Sequence, residues 1–200
     1  MKANKTLDLS QYEFRNIPGF DQNNFQGFDQ AIPMKTIVIY CFDPRASEIP
    51  KTVADYLGNE VYPGENIVDE AGIRVGHTRT LFAMSNGGGR ALQALQTIAT
   101  MDYLFHYENV VVVHHSFCGM TSYTPELLIE KFHHHHHVDI SGMWDHEDMA
   151  IVDYEKTIRH DVDLLRNSPL VPKHLNIYGF FYEINSGQLT EIVRDIATKK

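Results

Sequence analysis

Thr36-Ile37-Val38-Ile39-Tyr40-Cys41-Phe42-Asp43-Pro44-Arg45 combines two patterns in one run. The β-branched part has the unbroken apolar character of a strand buried on both faces, which is the mark of a parallel sheet. Metal-capable Cys41 and the charged residues Asp43 and Arg45 begin where that strand ends. The arrangement returns downstream, where Val110-Val111-Val112-Val113 runs into His114-His115-Ser116-Phe117-Cys118-Gly119. Open α/β sheets place their ligand sites outside the carboxyl ends of the strands. Two neighbouring strands of this kind bring Cys41, His115 and Cys118 together. Two thiolates and one imidazole form a good zinc set, with a fourth position left for water or a carboxylate.

Working outward, the pattern alternates. Ile49, Val53 and Leu57 predict a helix over 46–57, with Pro50 in its first turn and Gly58 closing it. Asn66 to Gly72 reads as a short strand running into a loop. Gly87-Gly88-Gly89 ends an irregular segment and opens a helix over 90–105, striped by Leu92, Leu95, Ile98, Ala99 and Leu104. No Gly-x-x-x-x-Gly-Lys pattern accompanies the glycines, so they mark a turn and a close-packing point rather than a phosphate cradle. Thr124 and Pro125 start another helix. Met149, Val152, Ile158, Val162 and Leu165 predict a single helix over 145–165, stopped at Asn167-Ser168-Pro169. A strand over 174–184 turns back at Asn185-Ser186-Gly187. This order predicts an α/β fold: a single domain with a mainly parallel β-sheet flanked by helices. Ahead of the domain at 36–200, residues 1–35 form a polar N-terminal arm. Its aromatics Tyr12, Phe14, Phe20, Phe25 and Phe28 suit a segment laid on a surface, of this chain or a partner's, as against a free leader.

With 200 residues and 43% hydrophobic content, the chain can bury a sizeable core. A net charge of −9 argues against nucleic-acid binding. No apolar run reaches the length of a membrane span, and the Met1–Thr6 start leads into no signal-like apolar core. The cytoplasm is the expected location, and a disulfide between the chain's two cysteines is disfavoured there. The run His133 to His137 can bind metal but follows a predicted helix, and is read as a polar loop at the helix end rather than as part of the site.

Asp43 has two possible roles. It can fill the fourth zinc position and close the site. Alternatively it can pair with the planar fork of Arg45, leave the metal open, and accept a hydrogen bond from zinc-bound hydroxide. His114, one residue from His115, should point to the other face of the strand as a packed or hydrogen-bonded histidine. Phe42, Phe117 and Met120 either line a small apolar pocket or belong to the core.

Cys-x-Asp-x-Arg followed by His-x-x-Cys resembles the β-class carbonic anhydrases, over residues 35 to 190. The His-His-Ser-x-Cys-Gly-Met form resembles the short divergent branch that includes carbonyl sulfide hydrolases. The resemblance implies Zn2+ on Cys41, His115 and Cys118, with Asp43 and Arg45 as a gating dyad. Asp69-Glu70-Ala71-Gly72 looks like the family's Arg-Asn-Ala-Gly loop with its first two residues replaced. The activity expected is zinc-hydroxide attack on a small linear substrate. That attack hydrolyses carbonyl sulfide to hydrogen sulfide and carbon dioxide, hydrates carbon dioxide to bicarbonate, or both. The alternatives are an ordinary carbonic anhydrase acting on carbon dioxide only, a structural zinc site closed by Asp43, and a thiol redox sensor. A homodimer or higher homo-oligomer is expected.

Overall fold

The computed structural model describes residues 8–198. The Met1–Thr6 start of the arm and Lys199-Lys200 lie outside them. Among the described residues, seven strands and five α-helices come after the arm: β1 (Thr36–Cys41), α1 (Ile49–Leu57), β2 (Asn66–Val68), β3 (Arg74–His77), β4 (Leu81–Asn86), α2 (Leu95–Phe105), β5 (Asn109–His115), α3 (Pro125–His136), α4 (His146–Met149), α5 (Tyr154–Asn167), β6 (Asn176–Glu183) and β7 (Gln188–Asp195). The main sheet runs β4-β1-β5-β6-β7. Its first four strands are parallel, and β7 returns antiparallel to β6. β1 and β5 are direct neighbours in register from Thr36↔Asn109 to Tyr40↔Val113, so both motifs leave the same edge of the sheet side by side.

The β-branched strands are central for the reason their composition suggests. Alternate side chains feed two cores. Ile37, Ile39, Val110, Val112 and Ile177 pack with Ile98, Val162 and Leu165 on one face. Val38, Val111, Val113, Phe180 and Tyr182 pack with Ile49, Val53 and Ala54 on the other. Fully burying one such side chain stabilises the fold by about 1.5–3 kcal/mol.

Three expectations need correction. The segment before the glycines is not irregular: Leu81 to Asn86 is a parallel strand paired along the whole of β1. The short strand expected from Asn66 is present, as Asn66 to Val68, and it joins Arg74 to His77 in a separate two-stranded sheet. The predicted helix over 145–165 is two helices. The chain leaves α4 at Ala150, and α5 restarts at Asp153, whose carboxylate accepts the Lys156 N–H at 2.8 Å. Between them buried Ile151 donates its N–H to the Met120 carbonyl, drawing the chain under the second motif. The histidine run is helical: His133 to His136 are the last turn of α3, and His137 is its left-handed cap. The helices predicted over 46–57 and 90–105 begin with short 3-10 turns, at Pro44–Ala46 and Leu92–Ala94.

The described part of the arm lies on its own chain. Phe14 and Phe25 each meet Phe28, with ring centroids 4.9 and 4.8 Å apart, and Phe25 reaches Tyr103 of α2. The Phe28 N–H donates to the Leu104 carbonyl at 2.7 Å. Among the described residues, no helix is long and apolar enough to cross a membrane.

Candidate active site

Cys41 is the last residue of β1, and His115 the last of β5. Cys118 comes after a sharp turn made by Phe117, whose φ of 55° is left-handed. The turn folds the second motif back so that Cys118 faces Cys41, and the two sulfurs lie 3.9 Å apart as free thiols. One donor atom from each of Cys41, His115 and Cys118 lies within 4.8 Å of the others, and all three residues are buried.

The imidazole is oriented for ligation. Nδ1 lies 2.9 Å from the Ser116 carbonyl, which can only accept, so the proton sits on Nδ1. Nε2 is buried and has no partner, and its lone pair is available to the cluster. A buried acceptor left this way carries a cost unless something occupies it. Two thiols and one unpartnered imidazole nitrogen fit zinc.

The sulfurs titrate together. A shared hydrogen bond with Cys118, then weaker help from His115 and the Asp43 and Gly88 N–H groups, pulls the Cys41 thiol well below its usual range. The same bond, with burial, pushes Cys118 up. Burial pulls the His115 pKa down, but the neighbouring Cys41 sulfur and the Ser116 carbonyl outweigh it and leave it raised.

Asp43 faces Arg45. Its Oδ1 accepts the Arg45 backbone N–H at 2.9 Å and Nε at 3.0 Å, and Oδ2 accepts Nη2 at 2.6 Å. The side-chain hydrogen bond from Arg45, then its backbone N–H, holds the Asp43 carboxyl well below the usual carboxylate range. Arg45 Nη2 also donates to the Phe117 carbonyl at 3.1 Å, so one guanidinium ties the first motif to the second.

His114 turns to the opposite face and places Nε2 3.0 Å from Asp161 Oδ2, as the strand alternation predicts. Phe42 and Phe117 are 68% and 69% exposed, so in a single chain they are neither core nor a closed pocket. Half-buried Met120 alone packs against the two cysteines and Ile151. Asp69 is spent on its own hairpin turn, accepting the Ala71 and Ile73 N–H groups at 2.9 and 2.8 Å. The place beside Cys41 belongs instead to Asn86–Gly89: Asn86 pairs with Cys41 across the sheet, and its carbonyl accepts the Phe42 N–H.

Sequence reasoning also missed the site's supports. Tyr154 Oη accepts the Cys118 N–H at 3.3 Å, and Ile151 closes the floor. Behind them Arg90 and Asp161 are fully buried and paired at 3.0 Å. The Arg90 fork also donates to the Ala150 and Glu147 carbonyls. Asn86 clasps the backbone of Arg90 with two bonds of 2.8 Å. The glycine triplet was the one available signal. A Cβ on Gly89 would stand 2.7 Å from the Val113 carbonyl oxygen and 3.0 Å from the Tyr40 backbone, which makes it the close-packing point expected.

No family model matches the chain. A carbon disulfide hydrolase of Acidithiobacillus thiooxidans is 27% identical over 139 residues, covering 61% of this chain and 69% of that protein. β-Carbonic anhydrase 1 of Mycobacterium tuberculosis is 24% identical over 98 residues, 49% of this chain and 58% of its own. The crystal structure of a carbonic anhydrase from Streptococcus mutans superposes with a TM-score of 0.58 at 24% identity, covering 79% of this chain and 81% of that one.

Proposed function

From a fold and a set of relatives that point to the β-carbonic anhydrase family, in a divergent branch that includes carbon disulfide hydrolase, we propose a zinc enzyme acting on a small linear carbon substrate. The observation that carries the reading is the buried Cys41, His115 and Cys118 cluster with Nε2 unpartnered, set beside an Asp43 that Arg45 occupies. Zinc held by these three residues supplies acidity, lowering the pKa of a coordinated water to about 7.

The rest of the chemistry belongs to the chain. Asp43, locked by Arg45, stays ionised and serves as the acceptor that orients the attacking water. The pairing also favours an open ligand position over a structural site closed by Asp43. Arg45 keeps the dyad in step with the Phe117 turn. Ser116 fixes the His115 tautomer, and Tyr154 and Ile151 hold Cys118 and exclude water from the floor.

Hydration of carbon dioxide, or a related hydrolysis of a small substrate, is the activity this supports. Within it, we assign carbonyl sulfide hydrolysis, with water giving hydrogen sulfide and carbon dioxide, as a substantial activity. The carbon disulfide hydrolase relative and the apolar rim of Phe42, Phe117 and Met120 favour a sulfur substrate. Asp69 and His114 add nothing to that preference, because Asp69 is held by its own hairpin turn and His114 by Asp161. Free thiols so close together suit a reducing compartment such as the cytoplasm. The exposed Phe42 and Phe117 rings suit coverage by another copy in a homo-oligomer. Measuring both specificity constants on one zinc-loaded preparation tests the reading. Fast carbon dioxide hydration without sulfide release would make it an ordinary carbonic anhydrase, and absence of both activities would remove the enzyme reading.

A further inference from the structure

The arm and the hairpin of β2 and β3 border a cavity of about 470 Å3. Its walls are locked together. The His77 N–H donates to the Ala31 carbonyl at 2.9 Å, and a Cβ on Gly76 would stand 2.5 Å from the same oxygen. Phe14, Phe28 and Phe105 give it an aromatic lining, the Phe28 ring centroid lying 4.9 Å from that of Phe14 and 6.1 Å from that of Phe105. No carboxylate lines it, in a chain with 26 acidic residues and a net charge of −9. Arg74 is the one permanent charge on its wall, and its guanidinium has no hydrogen bond or ion pair among the described residues. His77 Nδ1 accepts the Arg79 N–H at 3.0 Å, so the proton sits on Nε2, which is left as a donor. Asn66, opposite His77 across the hairpin, adds an amide without a side-chain partner among the described residues.

We propose that this cavity binds a small organic acid with an aromatic or branched apolar body, its carboxylate paired with Arg74 and its body against the phenylalanines. Apolar cavities of this size with a few polar groups are characteristic of small-molecule sites. The polar groups here are donors short of acceptors, and a guanidinium fork matches the two oxygens of a carboxylate. Residues Phe105 and His77 lie just ahead of β5 and β4, at the sheet edge opposite the cysteine cluster. The site therefore stands whether or not that cluster is catalytic.

Calorimetric titration of the full zinc-loaded chain with phenylbutyrate tests it, with phenylbutanol and phenylbutylamine as matched probes. The acid should bind at one saturable equivalent per chain, and the alcohol and amine about tenfold more weakly or worse. R74Q should weaken the acid by about tenfold or more and leave activity unchanged, while R74K should keep most of the affinity. V75D, which sets a carboxylate on the half-exposed wall, should abolish binding. C118S, which disturbs only the cysteine cluster, should bind the acid normally. Absence of saturable binding, equal affinity for acid and alcohol, or full affinity in R74Q would overturn the proposal. Binding lost in C118S but kept in R74Q would place the acid at the cysteine cluster and overturn it too. So would affinity that appears only as an oligomer is diluted apart, because a second copy of the chain would then be the occupant.

Discussion

Replacing Cys118 with Ser exchanges a soft thiolate for a hard, weakly acidic hydroxyl at nearly constant volume. Metal content should fall toward zero and activity with it, while the fold survives. Elemental analysis in a background where the whole His133 to His137 run is replaced by Asn, which removes an accidental binder, reads the result cleanly; full zinc in that protein would free Cys118 of its role. Asp43→Asn should keep the metal and lose turnover, because an amide presents Arg45 and the water with the wrong donor and acceptor pattern. Arg45→Ala should release Asp43 toward the metal and shut the site. The sign of the pH effect comes from the lowered Asp43 value. The Asp43 and Arg45 interaction is fully present above the ordinary carboxylate pKa of about 4 and is lost only as pH falls through the depressed folded value. Turnover should therefore show no acid limb belonging to Asp43 between about pH 5 and 8, and a limb there that vanishes in D43N would contradict the pairing. At this scale the sequence was informative about residues that sit on strand ends, because strand order alone brings Cys41, His115 and Cys118 together. It was silent on Tyr154, Ile151 and Asp161, which reach the site only because α5 restarts where it does.

β1 and β5 were legible because continuous β-branched runs have no other comfortable home. β4 was not: Leu81-Phe82-Ala83-Met84-Ser85-Asn86 contains no β-branched residue, and as an edge strand it is only partly covered. Its strand character comes from pairing with β1 rather than from propensity. The chain just beyond β4 is held by the buried Arg90 and Asp161 pair. Burial by itself opposes ionisation of Asp161, but His114 and Arg90 outweigh it and lower its pKa. Asp161→Asn leaves the buried Arg90 charge with only its longer contact to Asp148, at 3.5 Å, among elements α5, β5 and the Ala150 segment. The expected loss is about 3–5 kcal/mol, read as a lower denaturation midpoint in urea. A change under about 1 kcal/mol would mean the pair is solvated in solution. Gly89→Ala acts on the same junction differently. At φ 72° the new Cβ meets strand backbone, which cannot move aside as a side chain could. The strain alone is about 1–2 kcal/mol, and β1 and β5 must part where they carry their ligands. Zinc affinity should therefore fall along with stability. Gly119→Ala, with no atom within 4 Å of the added carbon, is the control that should bind zinc normally.

Across the whole molecule, the open question is what surrounds the substrate, and the two exposed rings bear on it. Phe42 and Phe117 are each one residue away from a cysteine of the cluster in the chain, and each is about two-thirds exposed. Aromatic rings left in water beside a buried polar site forgo burial that a second copy could supply. If a partner covers them, the rim becomes an apolar mouth. Such a mouth suits carbonyl sulfide and gives little to bicarbonate, a charged product that needs hydrogen-bond donors. The double substitution F42S/F117S should then lower the specificity constant for carbonyl sulfide more than that for carbon dioxide, by about tenfold relative to wild type, the worth of roughly 1.4 kcal/mol. Sedimentation of the same preparation separates selectivity from assembly. An intact oligomer with a shifted ratio supports the apolar mouth. A dissociated protein that loses both activities equally makes the rings interface residues alone. An unchanged ratio in an intact oligomer would move substrate choice away from this rim and toward the half-buried Met120, which packs against the cluster of the two cysteines and Ile151.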